Sequence, residues 1–236
     1  MGRWKEQAKM KLLIEYYRFI IMSDYYNYVD LVTYSGVYNR RFHTGEYVIY
    51  NFKNSVKKYT LNDRRHNTNG PAIIDYHENG CIFYESYYLN GKCHNRNGPA
   101  YIEYYKNETK SYESYWINGI RHNSNGPTII DYYENGCKCS ESYYQNDKLH
   151  NRNGPAIIHY YKNGCKKYIS YYLNGKLHNT NGAAFIEYYE NGCKKCESYY
   201  LNYKFHNRNG PAIIEYNLTG EIIKKEYWVD GKIKQK

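Results

Sequence analysis

Gly70, Gly98, Gly126, Gly154, Gly182 and Gly210 follow one another at intervals of 28 residues, and His66, His94, His122, His150, His178 and His206 keep the same step. A period of this length means one supersecondary unit stacked many times, each copy burying its apolar surface on its neighbours. The unit reads G-P-A-I-I-x-Y-Y-x-N-G-C-x-x-x-E-S-Y-Y-x-N-G-K-x-H-N-x-N, and five full copies occupy residues 70–209. A sixth copy, residues 210–236, lacks the last position and carries Lys234 where the histidine stands. A degenerate copy three residues short occupies residues 45–69, and His43 marks half a unit before it. The chain thus divides into a segment 1–30 without the repeat and a domain 31–236 of about seven units.

Each unit predicts two strands and two turns. Residues such as Ile157, Ile158, Tyr160 and Tyr161 are β-branched or aromatic and suit a strand. Asn163-Gly164 follows, a dipeptide that accepts φ > 0 at both positions and so signals a hairpin. A second strand over residues 167–173 ends at Asn174-Gly175, and residues 176–182, dense in turn formers, read as a connection. The prolines at 71, 99, 127, 155 and 211 open a strand, where a missing N–H is tolerated. The expected fold is mainly β: an elongated, single-layer antiparallel meander of hairpins with a short N-terminal helical cap.

Composition supports a thin sheet. The chain has 35 tyrosines against 6 phenylalanines and 3 tryptophans, so its rings carry hydroxyls and suit surfaces with one wet edge rather than a thick dry core. Tyr88, Trp116, Tyr144, Tyr172, Tyr200 and Trp228 form one aromatic ladder at the repeat step. Tyr87, Tyr115, Tyr143, Tyr171, Tyr199 and Tyr227 form an adjacent one, and alternation along a strand sends the two to opposite faces. In the first segment Met10, Leu13, Ile14, Tyr17, Ile20 and Ile21 recur at helical spacing, which predicts a helix over residues 4–22 packed on the first hairpins. Lys232, Lys234 and Lys236 would discourage strand addition at the other end. No apolar run reaches the ~18 residues of a membrane span, and charge at Glu15 and Arg18 breaks the longest one.

The repeated polar residues argue against several chemistries. Successive histidines of the ladder lie two strand spacings apart, about 9–10 Å, whereas Zn needs its ligand nitrogens at about 2.0–2.1 Å. Neighbouring units therefore cannot share a metal through these histidines, and each is expected to close a turn by hydrogen bonds to the next backbone. The cysteines at 81, 137, 165 and 193 fail the same test for disulfides and are expected to be reduced thiols. Acidic residues recur at 75, 103, 131, 187 and 215 and again at 85, 113, 141 and 197. Repeated in every unit, they read as cross-strand partners for Lys and Tyr rather than as one acid–base pair. No residue cluster breaks the repeat as a catalytic site would, so neither an enzyme nor a cofactor is expected. The net charge of +10 does not imply nucleic acid: residues 1–65 hold 12 Lys and Arg against 6 Asp and Glu, while residues 66–216 hold 16 against 14. The basic, amphipathic N-terminal segment offers at most weak peripheral contact with an anionic membrane.

The elements Gly-Pro-Ala-x-x-x-Tyr-Tyr-x-Asn-Gly and Tyr-Tyr-x-Asn-Gly-Lys-x-His resemble MORN repeats (membrane occupation and recognition nexus) over about residues 45–236. They are nearer to the variant class of bacterial antitoxin-like proteins and large DNA viruses of protists. The units here are longer than usual in that family, and the turn glycine is replaced at Glu108, Asp147 and Tyr203. The resemblance implies an elongated meander and a role in binding or assembly. It leaves three functions open: a protein-binding or scaffolding module acting through the Tyr88–Trp228 ladder, a self-assembling structural protein (a homo-oligomer, of a virion if the source is viral), and an antitoxin-like neutraliser. The expected location is cytoplasmic, in the host cytoplasm or the virion for a viral chain.

Overall fold

The computed structural model describes residues 37–41, 47–51, 57–61 and 64–234. The helix expected over residues 4–22, and the cap it would form, lie outside the described residues. The rest is strand and turn. Val37–Arg41 and Tyr47–Asn51 pair as an antiparallel hairpin. Next comes a thirteen-stranded antiparallel sheet in which every strand lies beside its sequence neighbour within the sheet. Its repeating element is a long hairpin, for example Ile157–Tyr160 with Lys166–Ser170. Five others match it, from Ile73–Tyr76 with Ile82–Ser86 to Ile213–Tyr216 with Ile222–Glu226. Each second strand then pairs with the first strand of the next unit, as Ser170 does with Phe185.

One expectation needs correction. The second strand of a unit does not run on to its Asn-Gly turn; it stops one residue short of the laddered ring. Tyr171 is a corner: its N–H donates to the carbonyl of Ala184 in the long sheet, and its own carbonyl accepts from the N–H of His178. Beyond that corner, Tyr172–Leu173 pairs with Lys176–Leu177, so the stretch read as a connection contains a strand. Seven such short hairpins stand in a row beside the long sheet, the first Thr60–Leu61 with Arg64–Arg65 and the last Trp228–Val229 with Lys232–Ile233. Single backbone bonds tie the row together, such as Gly175 N–H to Leu149 O at 2.8 Å and Asn151 N–H to Tyr172 O at 3.3 Å.

The two Asn-Gly turns also differ from each other. In the short hairpins both central residues are left-handed, as Asn174 (φ 51°) and Gly175 (φ 81°) show, which is the two-residue turn that matches strand twist. In the long hairpins only the glycine is left-handed. There Gly164 (φ 85°) donates its N–H to Tyr161 O, so the asparagine sits in an ordinary turn followed by a left-handed residue. At Glu108 (φ 65°), Asp147 (φ 56°) and Tyr203 (φ 64°) a side chain occupies the glycine position. Left-handed backbone costs a residue with a Cβ roughly 1 kcal/mol or more. The triple substitution Glu108→Gly, Asp147→Gly and Tyr203→Gly is therefore expected to stabilise the array by about 2–3 kcal/mol. Calorimetry should show a Tm several degrees higher, and an unchanged Tm would contradict the strain.

The glycine ladder that defines the period is a different set. Gly70, Gly98, Gly126, Gly154, Gly182 and Gly210 lie outside the left-handed region, and a Cβ on each would meet only an asparagine side-chain nitrogen at 3.5–3.8 Å. Asparagine shapes that loop instead. Asn151 Nδ2 donates to Pro155 O at 2.9 Å while its Oδ1 accepts from the Asn153 N–H. The interior is thin, as the composition requires. Ala72, Ala100, Ala156, Ala184 and Ala212 are fully buried at the corner between long and short hairpins, and Thr128 holds the same position at 1% exposure.

Candidate functional site

Strand alternation, fixed by the observed register, gives the long sheet two chemically different faces. On one face lie Glu85, Glu113, Glu141 and Glu197. They accept hydrogen bonds from the hydroxyls of Tyr104, Tyr132, Tyr160 and Tyr216 at 3.2, 2.8, 2.7 and 2.6 Å. Lys110, Lys138 and Lys194 are paired to the last three glutamates. Burial, and then the Glu85 carboxylate, push Tyr104 up to about 12. At Ile169 the glutamate is missing, and an isoleucine pairs there with Ile158.

The other face carries Asp75, Glu103, Asp131, His159, Glu187 and Glu215, opposite Tyr84, Tyr112, Ser140, Tyr168, Cys196 and Lys224. The two acidic columns, read from the sequence as cross-strand partners for Lys and Tyr, thus lie on opposite faces, one register position apart. Where the acid is replaced, His159 stacks on Tyr168 with ring centres 4.3 Å apart, and burial lowers its pKa.

This second face forms the floor of a groove whose wall is the row of short hairpins. Tyr88, Trp116, Tyr144, Tyr172, Tyr200 and Trp228, the ladder singled out in the sequence, all stand half-buried in that wall. Each has a cross-strand partner in its own hairpin: Cys93, Arg121, Leu149, Leu177, Phe205 and Ile233 in turn. Two of these partners, Arg121 and Phe205, reach toward the next ring. Phe205 lies 4.6 Å from Tyr200 and 5.8 Å from Trp228, and the Arg121 guanidinium lies 5.0 Å from Trp116 and 5.1 Å from Tyr144. Arg65 stacks on Tyr88 at 5.1 Å in the same way. At Cys93 the filler is short, and a cleft of about 530 Å³ opens between wall and floor. It is lined by Tyr88, Cys93, Trp116, Tyr101, Glu103 and Tyr112, with Ser114 beneath Trp116 and accepting its indole N–H at 2.8 Å. Burial pushes the Cys93 thiol up to about 11, so it is a poor nucleophile. The partner column was missed in the sequence, although its signal was there: it varies from unit to unit inside an otherwise repeated frame.

The histidine ladder is placed to join units. The backbone N–H of Asn90, Asn118, Asn174 and Asp230 donates to Nδ1 of His66, His94, His150 and His206 at 3.1–3.2 Å. Each of those donors is the left-handed first residue of a short-hairpin turn, so the histidine pins the turn of the following unit. Among the described residues all seven cysteines are free thiols, and no three metal-binding side chains converge. Comparison of the chain with protein-family models and with curated proteins returned no match.

Proposed function

We propose that the chain is a non-enzymatic protein-binding or scaffolding module that seats its partner in the groove between the long sheet and the row of short hairpins. The observation that carries this reading is the wall itself: six half-buried rings in register along the row of short hairpins, with a cleft open between wall and floor at Tyr88 and Trp116. Rigid aromatic side chains give large contact area at low entropic cost, which is why they dominate protein-binding surfaces. On the opposite face four Tyr–Glu pairs, three of them with a lysine, are satisfied within the sheet.

The test is a comparison of two double variants in affinity capture, followed by titration with the purified partner. Trp116→Ala with Tyr144→Ala removes adjoining wall rings and should weaken binding by at least about 100-fold, given about 1.5 kcal/mol or more for each ring. Lys110→Ala with Lys138→Ala alters only the opposite face and should bind as the wild type does. Equal binding by both variants would sink the proposal.

A second reading, self-assembly, is favoured by one feature. Among the described residues the sheet ends at Ile222–Glu226, where Ile222 and Ile223 are 49% and 62% exposed, and Ile233 of the last short hairpin is 58% exposed. Unpaired strand edges with apolar side chains invite edge-to-edge pairing, although Lys224, Lys225 and Lys232 oppose it. Light scattering separates the readings: a monodisperse monomer across a wide concentration range counts against assembly.

A further inference from the structure

Two of the five carboxylates on the groove floor are ion-paired. Glu187 pairs with Lys195 at 2.8 Å, and Glu215 with Lys224 at 3.2 Å. Asp75, Glu103 and Asp131 have no ion pair among the described residues; Asp75 Oδ1 accepts the Tyr76 N–H and Asp131 Oδ2 the Ser140 hydroxyl. Of these three, Glu103 lines the open cleft. The wall residue beside it in the cleft is Cys93, and Glu103 Oε1 accepts only the Tyr101 hydroxyl, at 2.6 Å. No hydrogen bond engages its Oε2 among the described residues. This unpaired carboxylate lies on the floor of the cleft, with Tyr88 on one side and Trp116 on the other.

We infer that this cleft receives the guanidinium of an arginine side chain carried by the protein partner. The inference rests on the binding-module reading. Equivalent rings in successive units lie about 9–10 Å apart, which leaves room for one flat group some 5 Å from each. Arg121 already occupies that arrangement on the far side of Trp116, at 5.0 and 5.1 Å from its two rings. Its Nε makes no hydrogen bond, and its guanidinium lies between the two ring faces. The Cys93 cleft offers the same stacking and adds a carboxylate. A planar, weakly hydrated guanidinium suits a slot between two rings, whereas the compact, strongly hydrated ammonium of lysine does not.

The experiment titrates the full chain with three capped tripeptides, Gly-Arg-Gly, Gly-citrulline-Gly and Gly-Lys-Gly, while the indole N–H resonances are followed by NMR. The chain has three tryptophans, so Trp116→Phe assigns the reporter signal. The arginine peptide should shift the Trp116 indole, and the neutral and ammonium peptides should bind at least about tenfold more weakly, as expected for loss of a charge-assisted bond. Cys93→Arg fills the cleft from within, as Arg65 and Arg121 do in their own units, and should abolish the response. Glu103→Gln should weaken it by about tenfold. A silent arginine peptide, a citrulline or lysine peptide that matches it, or a Cys93→Arg variant that still binds it would each overturn the inference. If the arginine peptide is silent while Trp116→Ala with Tyr144→Ala still loses the partner, only the arginine site fails. If that double variant keeps the partner, the groove reading itself fails.

Discussion

Ala156→Leu is expected to destabilise the centre of the array by about 3 kcal/mol, the upper end for overpacking a tight site, whereas Ala156→Thr should stay within about 1 kcal/mol of the wild type. Ala156 is fully buried, and its N–H and carbonyl join the second strand of its own unit (Ser170 O) to the preceding corner (Tyr143 N). The repeat itself shows what the position accepts. Thr128 stands there in the preceding unit, with its Oγ1 accepting the Tyr144 N–H at 3.1 Å, so the side chain points at the backbone of the short hairpin. A leucine would have to displace that backbone and separate wall from floor. Units in such an array contact only their neighbours, so a lesion in the middle weakens the coupling between two halves. Circular dichroism should therefore show a Tm lowered by about 6–12 °C and a broadened or split transition. A Leu variant that melts sharply at the wild-type temperature would mean that the corner is looser than its packing indicates.

The period was legible because it depends only on residue identity, and the strand assignment followed from β-branched and aromatic runs between Asn-Gly pairs. What was not legible depends on where the chain turns. Tyr171 and Tyr172 are adjacent, chemically alike and equally at home in a strand, and nothing in their identity says that one is a corner and the other begins a new ladder. With the corner missed, the stretch after Asn174-Gly175 lost its strand, and the wall disappeared from view. The two Asn-Gly turns were likewise indistinguishable by dipeptide. The difference lies in how many residues the flanking strands leave unpaired, which is a tertiary quantity. The aromatic ladder was found because it repeats. The Cys93 column was passed over because it does not, and a search for repeated positions discards the variable ones.

This variability is also how an otherwise uniform array acquires a distinguishable place. Six rings at equal steps would bind any partner in any register. Among the residues between them, Cys93, Arg121 and Phe205 differ in charge and volume from one another and from Leu149 and Leu177, and would mark the register of a bound partner. The floor does the same with His159 in place of a carboxylate. A partner could therefore be fixed in position by a few unlike residues set in a rigid, repeated frame.

The opposite face carries the second large effect, a coupling between Glu141 and Tyr160. Glu141 is only 6% exposed, and it accepts the Tyr160 hydroxyl at 2.7 Å while also pairing with Lys138. Its neighbours across the sheet are Ile130 and Ile158. Glu141→Ile alone leaves the Tyr160 hydroxyl without an acceptor and should cost about 2 kcal/mol. Tyr160→Phe alone leaves the carboxylate one bond short and should cost about 1 kcal/mol. The double variant replaces both partners by apolar groups and should cost less than the sum of the two single costs, because the penalty comes from the unpaired group rather than from the missing bond. Ile169, 5% exposed at the equivalent position, shows that the sheet already accommodates the isoleucine. The advantage of the wild-type pair also has a pH signature. Burial first, and then the bond to Glu141, raise the Tyr160 pKa above its ordinary value near 10. The folded state thus favours the protonated phenol, its contribution is fully present below about pH 10, and it is lost as pH rises through the folded value. Urea unfolding of the four proteins at pH 7 and above pH 10 measures both terms. Additive costs at pH 7, or a coupling unchanged in strong alkali, would show that the hydroxyl and carboxylate do not hold each other in place.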